Sequence, residues 1–374
     1  MVDINAAVVR EQGGAFRIEP LVLEEPRTGE VLVRIAGVGV CHTDIVVRDQ
    51  YFPTPLPAVL GHEGAGVVER VGPGVTKVAP GDHVVLSYAS CGQCSNCQRG
   101  LYGYCPDLYG RNFTGTRPDG SSPCCDAHGG KVSSFFFAQS SFADLALATE
   151  RNVVKIPKDV PVELMGPLGC GVQTGAGAVI NALKPGAGSS IAIFGAGSVG
   201  LSAAMAARVA GCARIIMVDL NRARLDLALE LGATDVVDAG AEDPVTAIQA
   251  LTGGEGVQYS LECTGLPKVA RQAVDCLRLT GTCGVIGVAP LGTEFALDMN
   301  GILFGRTVRG IIEGDSIPDI FIPQLVELWR QGRFPFDRLV RFYPLTEIEE
   351  AVHASEKGEV LKAILLPDPS IRKS

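Results

Sequence analysis

Four cysteines lie within a stretch of fifteen residues, at a spacing typical of a metal-binding loop. They are Cys91, Cys94, Cys97 and Cys105. Thiolates this close together suit a closed tetrahedral Zn²⁺ site, in which four protein ligands leave no position for a substrate. The sequence therefore predicts a structural zinc ion that organises this loop. The alternatives are free thiols and an iron–sulfur cluster, which the proline after Cys105 also allows.

A second set of candidate metal ligands is dispersed along the chain. It consists of Cys41 in Cys-His-Thr-Asp, His62 in Gly-His-Glu-Gly, and Cys170 in Gly-Cys-Gly. Two cysteines, one histidine and an open position form a catalytic zinc arrangement. Asp44 is a candidate to orient the histidine, and Glu63 lies beside it in sequence. Cys263, after a predicted strand, competes for the third ligand position, and a lone histidine is more often a core residue.

The second half of the chain contains a glycine pattern typical of dinucleotide binding, G-x-G-x-x-G, with Gly195, Gly197 and Gly200. It follows the predicted strand Ile191–Phe194 and opens a predicted helix, and Asp219 ends the next strand. In this context the glycines allow the tight turn, the approach of a pyrophosphate and close helix packing. The aspartate would accept hydrogen bonds from the adenosine ribose and repel a 2′-phosphate, which predicts NAD over NADP. The alternative is a glycine-rich turn with a solvated aspartate.

The elements that must position these residues change character along the chain. As far as about Leu147, short strand-like runs alternate with glycine and proline turns, which predicts a mostly β domain. From about Ser190, six predicted strands alternate with helical patterns, which indicates a doubly wound parallel sheet. The predicted strands are 31–36, 66–71 and 83–87 in the first part, then 191–194, 215–218, 235–237, 257–261, 283–286 and 308–311. The predicted helices include 199–210, 222–231 and 322–330, and a last strand is expected at 361–365.

Composition excludes several classes of protein. The 374 residues are 47% hydrophobic and 20% charged, which predicts two or three folded domains and excludes disorder. A net charge of −9 without basic runs argues against nucleic acid or an anionic membrane as partner. No signal-peptide pattern or membrane span is visible, so we expect a cytoplasmic protein. Reduced cysteines there favour metal sites over disulfides.

Taken in order, the Cys-His-Thr-Asp and Gly-His-Glu motifs, the four-cysteine loop and the Gly-Ala-Gly-Ser-Val-Gly segment resemble the zinc-dependent medium-chain alcohol dehydrogenases. The resemblance covers essentially the whole chain. It implies an α/β fold in which a GroES-like, mostly β catalytic domain (1–171) is followed by a Rossmann NAD-binding domain (172–312) and completed by 313–374. The long loop after Cys105 is similar to that of dimeric members, so a homodimer is expected rather than a tetramer.

The same resemblance assigns roles to individual residues. It implies catalytic zinc on Cys41, His62 and Cys170, which selects Cys170 over Cys263, and structural zinc on the four-cysteine loop. His42 and Lys362 would approach the cofactor pyrophosphate. The full set of implied cofactor-binding residues is His42, Gly195, Gly197, Ser198, Val199, Gly200, Asp219, Arg224 and Lys362. The residues predicted to take part in catalysis are Thr43, Asp44 and Glu63.

Zinc is redox-inert, but it polarises a carbonyl and acidifies a bound alcohol, while a nicotinamide accepts a hydride. An open zinc site beside a dinucleotide site therefore predicts reversible oxidation of an alcohol to an aldehyde or ketone. Thr43, two residues after the ligand Cys41, is placed to take the alcohol proton. In many members of the family that this chain resembles, the proton continues to a histidine five residues after the ligand that corresponds to Cys41. This chain has Val46 there.

Other classes of function fit these residues less well. A non-enzymatic NAD-binding zinc protein has no need of an open metal position. A zinc-free quinone or enone reductase would lack Cys41, His62 and the four-cysteine loop, all of which are present. Polyol dehydrogenases commonly keep a glutamate ligand and often lack the full cysteine set. The complete ligand set, together with Thr43 and Asp44, favours an alcohol dehydrogenase, with an aliphatic alcohol or a polyol as the alternative substrate.

The substrate prediction depends on aromatic residues. Segment 133–137, Ser-Ser-Phe-Phe-Phe, matches a family segment that lines the substrate channel. The pocket candidates are Phe52, Tyr104, Phe136 and Ile312. Several aromatic rings favour a large flat apolar substrate, and segment 310–316 is similar to bacterial aryl-alcohol (benzyl alcohol) dehydrogenases. We therefore expect a primary aromatic or allylic alcohol. The alternative is that 135–137 is a strand with alternate rings in the core.

Overall fold

The computed structural model describes residues 1–370, which form two compact units. The first unit comprises Met1–Cys170, Ile317–Val326 and the described chain from Asp337 onward, and the second comprises Gly171–Ser316 and Glu327–Phe336. The junctions after Cys170 and Ser316 lie within four residues of the expected ones. Glu327–Phe336, which was expected in the catalytic domain, groups with the second unit. No helix of the described chain combines the length and apolarity that crossing a membrane requires.

The strands are β1 (Val2–Val9), β2 (Arg17–Leu23), β3 (Glu30–Gly39), β4 (Ala58–Val59), β5 (Glu63–Val71), β6 (His83–Leu86), β7 (Cys124–Asp126), β8 (Lys131–Val132), β9 (Leu145–Thr149), β10 (Val153–Ile156), β11 (Ser190–Phe194), β12 (Arg214–Asp219), β13 (Asp235–Asp238), β14 (Val257–Glu262), β15 (Leu277–Val285), β16 (Thr307–Gly310), β17 (Val340–Pro344) and β18 (Lys362–Leu366). The α-helices are α1 (His42–Arg48), α2 (Ser95–Gln98), α3 (Leu108–Asn112), α4 (Gly171–Gly177), α5 (Ser198–Ala210), α6 (Arg222–Leu231), α7 (Pro244–Leu251), α8 (Pro267–Asp275), α9 (Met299–Leu303), α10 (Pro318–Arg330) and α11 (Ile348–Glu356).

The first unit contains two largely antiparallel sheets, as expected for a GroES-like domain. One has the order β4-β1-β2-β7-β8, and the other runs β10-β6-β5-β3-β18-β17, with β9 also paired to β3. Strand β3 is almost entirely buried because it is paired on both sides and packed on both faces. Strand β18, from near the end of the chain, pairs with the carboxyl end of β3, where Gly39 is also the register partner of Glu63. Distant segments of the sequence therefore meet at this end of the sheet.

The second unit contains a six-stranded parallel sheet in the order β13-β12-β11-β14-β15-β16. The predicted doubly wound fold is confirmed. Local signals explain why these elements are readable from sequence: Asn221 caps the start of α6, and Gly232, with φ 124°, ends it. Strand order reverses between β11 and β14, the switch point at which such sheets bind ligands.

Two segments have local structure that the sequence patterns do not specify, and the second excludes the alternative that 135–137 is a strand. Residues 91–130, which comprise the four-cysteine loop and the long loop after Cys105, contain the short helices α2 and α3 and the strand pair β7–β8. Residues 135–137 are not a strand: the chain makes a 3₁₀ turn over Phe136–Ala138, with Phe137 at φ 51°. The Ser140 hydroxyl accepts a hydrogen bond from the Phe136 amide at 2.9 Å, which satisfies the backbone without a sheet neighbour. All three phenylalanines are buried.

Candidate active site and metal centres

Helix α1 begins directly after Cys41, and a reciprocal cap fixes its first turn. The Asp44 carboxylate accepts a hydrogen bond from the Cys41 amide at 3.0 Å through Oδ2. Its Oδ1 accepts from the Gly61 amide at 3.1 Å and lies 2.9 Å from His62 Nδ1. Asp44 is 1% exposed, so one buried carboxylate ties the two motifs together. Because Nδ1 of the imidazole is engaged, Nε2 is the atom left to bind a ligand.

The second cysteine and histidine set forms a compact group. One ligand atom from each of Cys41, His62, Glu63 and Cys170 lies within 4.8 Å of the others. His62 Nε2 is buried and has no hydrogen-bond partner among the described residues. An orphaned imidazole nitrogen facing two sulfur atoms is the donor set that Zn²⁺ prefers, so the residues fit a metal ion. Cys263, the competing ligand, lies in the second unit and outside this group.

The charges around this group favour the metal-binding form of its cysteine. A hydrogen bond from Cys170 is the main cause that lowers the pKa of the Cys41 thiol well below its usual value, against the effect of burial. Burial disfavours protonated His62, but the Asp44 carboxylate and Cys41 outweigh it and raise the pKa of the imidazole. A low thiol pKa favours metal binding, because the thiolate is the form of cysteine that binds a cation.

Glu63 and Lys362 form a buried ion pair beside the ligand group. Lys362 Nζ lies 2.9 Å from both carboxylate oxygens and donates to the Val40 carbonyl at 3.1 Å. Their side chains are 0% and 3% exposed. Burial alone would lower the pKa of Lys362, but Glu63 raises it, so the ammonium keeps its proton. The predicted approach of Lys362 to a pyrophosphate stays a prediction, and in this structure Glu63 and Val40 hold its ammonium group.

The four-cysteine loop also gathers its sulfur atoms. Cys91, Cys94, Cys97 and Cys105 each place a sulfur atom within 4.8 Å of the other three. The Cys91 and Cys97 sulfurs are 3.9 Å apart, and the Cys94 amide donates to the Cys91 sulfur at 3.3 Å. Backbone amides, that of Gln93 first, lower the pKa of Cys91 to about 6. Four sulfurs with no other ligand nearby fit a closed zinc site, in which the ion would cross-link a segment poor in regular structure.

Replacing Cys97 with serine is expected to destabilise the protein. A closed metal site contributes its binding free energy to folding, so losing one thiolate should lower the melting temperature by at least roughly 5 °C and reduce the yield of folded protein. Thermal unfolding and zinc analysis of the purified variant measure this. Cys125→Ser, a half-buried thiol outside both groups, is the matched control and should unfold like the wild type. Equal melting temperatures for Cys97→Ser and the control would contradict a structural role for the loop metal.

Aromatic rings surround the imidazole of His62. The Phe137 ring stacks on it at 4.4 Å, and Phe136 meets it edge-on at 5.5 Å. Phe113 contacts both phenylalanines, and Phe52 contacts Phe113 at 5.6 Å. Sequence analysis missed Phe113, because an aromatic residue inside an irregular loop gives no sign of which ring it will face, and it placed Phe137 only as part of the channel-lining segment. Phe136 is 0% exposed, so it supports His62 from the protein side.

The other two pocket candidates stay predictions. Tyr104 is half-buried in the 3₁₀ turn Tyr102–Tyr104 of the four-cysteine loop, where its carbonyl accepts from Asn96 at 2.7 Å. Ile312 belongs to the second unit and is 43% exposed there. Of the predicted pocket residues, Phe136 contacts the imidazole of His62 directly, and Phe52 contacts Phe113 in the same aromatic cluster.

The glycine-rich segment of the second unit adopts the predicted turn between β11 and α5. Gly195 has φ 100°, and a Cβ at Gly200 would overlap the Gly195 carbonyl, whereas a Cβ at Gly197 would meet nothing within 4 Å. The Asp219 carboxylate accepts from the Ala196 amide at 2.6 Å and from the Asn221 amide at 2.8 Å. The backbone at Gly197 is therefore open to the approach of a pyrophosphate. Asp219 is held at the same turn, where its carboxylate suits a ribose hydroxyl.

The remaining cofactor candidates occupy three positions. Ser198 and Val199 open α5, at the end of the helix that carries the unsatisfied amides. Arg224 lies in the first turn of α6, where its amide bonds to the capping side chain of Asn221. His42 is exposed at the start of α1 in the first unit. Their contacts with a cofactor stay predictions.

Fold and sites together define a zinc-binding dehydrogenase, and comparison with known proteins agrees. Residues 27–158 match the alcohol dehydrogenase GroES-like domain, and residues 198–329 match the zinc-binding dehydrogenase family. Geraniol dehydrogenase of Castellaniella defragrans is 49% identical over 98% of both chains. The chain belongs to the zinc-dependent medium-chain alcohol dehydrogenases.

Solved structures resemble the whole fold. The alcohol dehydrogenase zinc-binding domain protein from Burkholderia ambifaria is 56% identical with a TM-score of 0.97, over 98% of this chain and 100% of that one. Benzyl alcohol dehydrogenase from Acinetobacter calcoaceticus is 50% identical with a TM-score of 0.95, over 98% of this chain and 99% of that one. The predicted family, fold class and enzymatic nature are therefore confirmed.

Proposed function

We propose that this enzyme oxidises a primary aromatic or allylic alcohol, of the benzyl alcohol or geraniol type, to the aldehyde, reversibly and with NAD as the hydride acceptor. The observation that carries the proposal is the group of half-buried Cys41, buried Cys170 and the Nε2 of His62, which has no partner among the described residues and lies beside phenylalanine rings. Relatives that share about half of the sequence are named for geraniol and for benzyl alcohol, an allylic and an aromatic alcohol.

Each chain would hold two zinc ions. Cys41, His62 and Cys170 would bind the catalytic ion, and the four cysteines of the loop would bind the structural one. When bound, catalytic zinc acidifies the alcohol and NAD accepts its hydride. Asp44 holds the imidazole in the tautomer that presents Nε2. Glu63 accepts hydrogen bonds from the Lys362 ammonium at 2.9 Å, while burial raises the pKa of its carboxyl to about 7. Thr43, half-buried two residues after a ligand, would accept the alcohol proton on its hydroxyl oxygen and release its own hydroxyl proton toward solvent.

Cofactor choice should reside at Asp219. We expect NAD to be preferred over NADP, and Asp219→Ser to narrow that preference by about tenfold, because it removes a charge that repels a 2′-phosphate and an acceptor for the ribose. The measurement is kcat/KM for both cofactors at saturating alcohol. Asp238→Ser, at the register partner on the neighbouring strand, is the control and should leave the ratio unchanged. Equal use of NAD and NADP by the wild-type enzyme would show that Asp219 does not select the cofactor.

Substrate class is tested by kcat/KM for benzyl alcohol, geraniol, ethanol, a long aliphatic alcohol and a polyol with NAD. The half-buried rings of Phe52 and Phe113, which pack beside the buried phenylalanines on His62, favour flat apolar groups. Each aromatic contact is worth roughly 0.5–1.5 kcal/mol beyond burial. Benzyl alcohol and geraniol should therefore exceed ethanol by at least about a hundredfold. Comparable values for ethanol and benzyl alcohol would overturn the aromatic or allylic assignment in favour of the aliphatic alternative. Absence of NADH formation with every alcohol would overturn the proposed NAD-linked oxidation.

We further propose a homodimer. Large apolar side chains are exposed on one stretch of the second unit: Leu279, Leu291, Met299, Leu303 and Phe304. Strand β16 is the unpaired edge of the parallel sheet and follows this stretch directly. An exposed apolar patch beside a free strand edge is typical of a protein–protein interface. Light scattering at assay concentration measures the mass, and a monomer would contradict the proposal.

A further inference from the structure

Gln139 is a fully buried amide that lies directly behind the catalytic ligand group. It is 0% exposed and follows the turn that carries Phe136 and Phe137. Its Oε1 accepts from the Gly64 amide at 3.1 Å and from the Ser141 hydroxyl at 2.9 Å. Its Nε2 donates to the His62 carbonyl at 2.9 Å and to the Ser87 carbonyl at 3.3 Å. A glutamine amide has two acceptor sites and two donor hydrogens, so all four are used.

These contacts fix the backbone on both sides of Glu63. The carbonyl of His62 and the amide of Gly64 are held by the two ends of the same side-chain amide. A Cβ on residue 64 would lie 2.7 Å from Ser141 Cβ and 3.1 Å from Gln139 Oε1, so the glycine is what lets the amide approach this closely. Gln139 therefore fixes the backbone from which the His62 ring projects, and Asp44 fixes the ring itself through Nδ1.

The same amide reaches toward the third ligand. Ser87, whose carbonyl accepts from Gln139, donates its hydroxyl to the Gly169 carbonyl at 2.8 Å. Gly169 immediately precedes Cys170. The hydrogen-bond path therefore runs from the segment that carries His62, through Gln139 and Ser87, to the segment that carries Cys170, and every side chain on it is buried. Buried polar networks in which each member is satisfied hold their geometry tightly.

We propose that Gln139 is a positioning residue of the catalytic metal site, which holds the His62 and Cys170 segments at the separation that a shared ion requires. It exposes no surface and would act through the two ligands without touching the substrate or the ion. The proposal rests on the assignment of catalytic zinc to Cys41, His62 and Cys170. Side chains that orient metal ligands typically contribute about 10–100-fold to metal affinity.

The test is Gln139→Met, which keeps the length of the side chain and removes its donors and its carbonyl acceptor. Release of zinc to a chromogenic chelator should show the catalytic ion leaving about 10–100-fold faster than from the wild type, with the loop ion unaffected. Co²⁺ placed in the catalytic site should show a shifted visible spectrum, because its ligand geometry changes. NADH binding, measured by fluorescence, should stay within about twofold. Metal release and a Co²⁺ spectrum like those of the wild type would overturn the role.

Two further variants separate positioning from general stability. Asn112→Leu removes another buried amide, which bonds Ala89 and Leu108 and does not contact the His62 or Cys170 segments. It should lower the melting temperature without changing the Co²⁺ spectrum of the catalytic site, and an equal spectral change would overturn the proposal. Ser141→Ala removes one bond to Gln139 and should give a smaller change in the same direction, which keeps the test open if Gln139→Met does not fold.

The zinc assignment itself can fail separately. If wild-type enzyme carried zinc only at the four-cysteine loop, or if Cys41→Ser kept both ions, the assignment of the catalytic ligands would be overturned and the role of Gln139 with it. If the wild type holds both ions, Cys41→Ser loses one, and Gln139→Met releases the ion at the wild-type rate, only the role of Gln139 falls.

Discussion

Cys41→Ser is expected to abolish alcohol oxidation and to leave one zinc ion per chain instead of two. A serine hydroxyl stays protonated where the Cys41 thiol ionises readily, so the catalytic group loses its anionic ligand. Metal ions stabilise the charge of a transition state by several kcal/mol, and about 4 kcal/mol corresponds to a loss of roughly 10³ in kcat. The measurements are kcat with the best alcohol and zinc content by elemental analysis.

NADH binding should survive in Cys41→Ser, because the glycine-rich turn and Asp219 lie in the second unit. Cys125→Ser is again the matched control and should keep both ions and full activity. Loss of activity in Cys41→Ser with both zinc ions at full occupancy would refute the assignment of this cysteine as a ligand. Loss of both ions would instead show that the variant has failed to fold.

The parallel sheet could be predicted from the sequence because its signals are local. Most of the strands contain a short apolar run, several helices begin or end at a residue with capping chemistry, and the glycine pattern lies within six residues. Asn221 and Gly232 are examples, since both act on the helix beside them. The hydrogen bond between Asp44 and His62 could also be predicted, because the two motifs are close in sequence and a carboxylate commonly orients a metal-binding imidazole.

The rest of the site depends on contacts that sequence periodicity does not encode. Glu63 and Lys362 are 299 positions apart and meet only because β18 pairs with β3. Gln139 is an isolated amide in an irregular segment, and nothing near it predicts that its partners flank Glu63. Phe135 to Phe137 have the composition of a strand, but the turn at Phe137 and the packing against His62 override that preference.

Thr43→Val is expected to reduce kcat nearly to zero while leaving zinc content and NADH binding unchanged. Thr43 lies in the first turn of α1, beside the ligand Cys41, and its hydroxyl makes no hydrogen bond with any described residue. It is therefore available to receive the proton of an alcohol. A general-base step typically contributes about 10²–10⁴-fold, and valine keeps the shape of threonine without the hydroxyl. The measurement is kcat across pH, with Thr43→Ser as the control that retains the proton path.

Val46→His distinguishes proton transfer from the alcohol to Thr43 from the later release of the proton to solvent. Val46 is half-buried on α1, three residues after Thr43, and cannot accept a proton. His42 is exposed on the same helix and is the nearest base in sequence. If the proton leaves Thr43 toward solvent without a histidine at 46, then adding one should change kcat little or raise it near neutral pH, where an imidazole titrates. Strong inhibition by Val46→His would show that the valine is needed for packing. If Thr43→Val retained most of its activity, the proton would not pass through this hydroxyl, and the mechanism proposed for the enzyme would have to be abandoned.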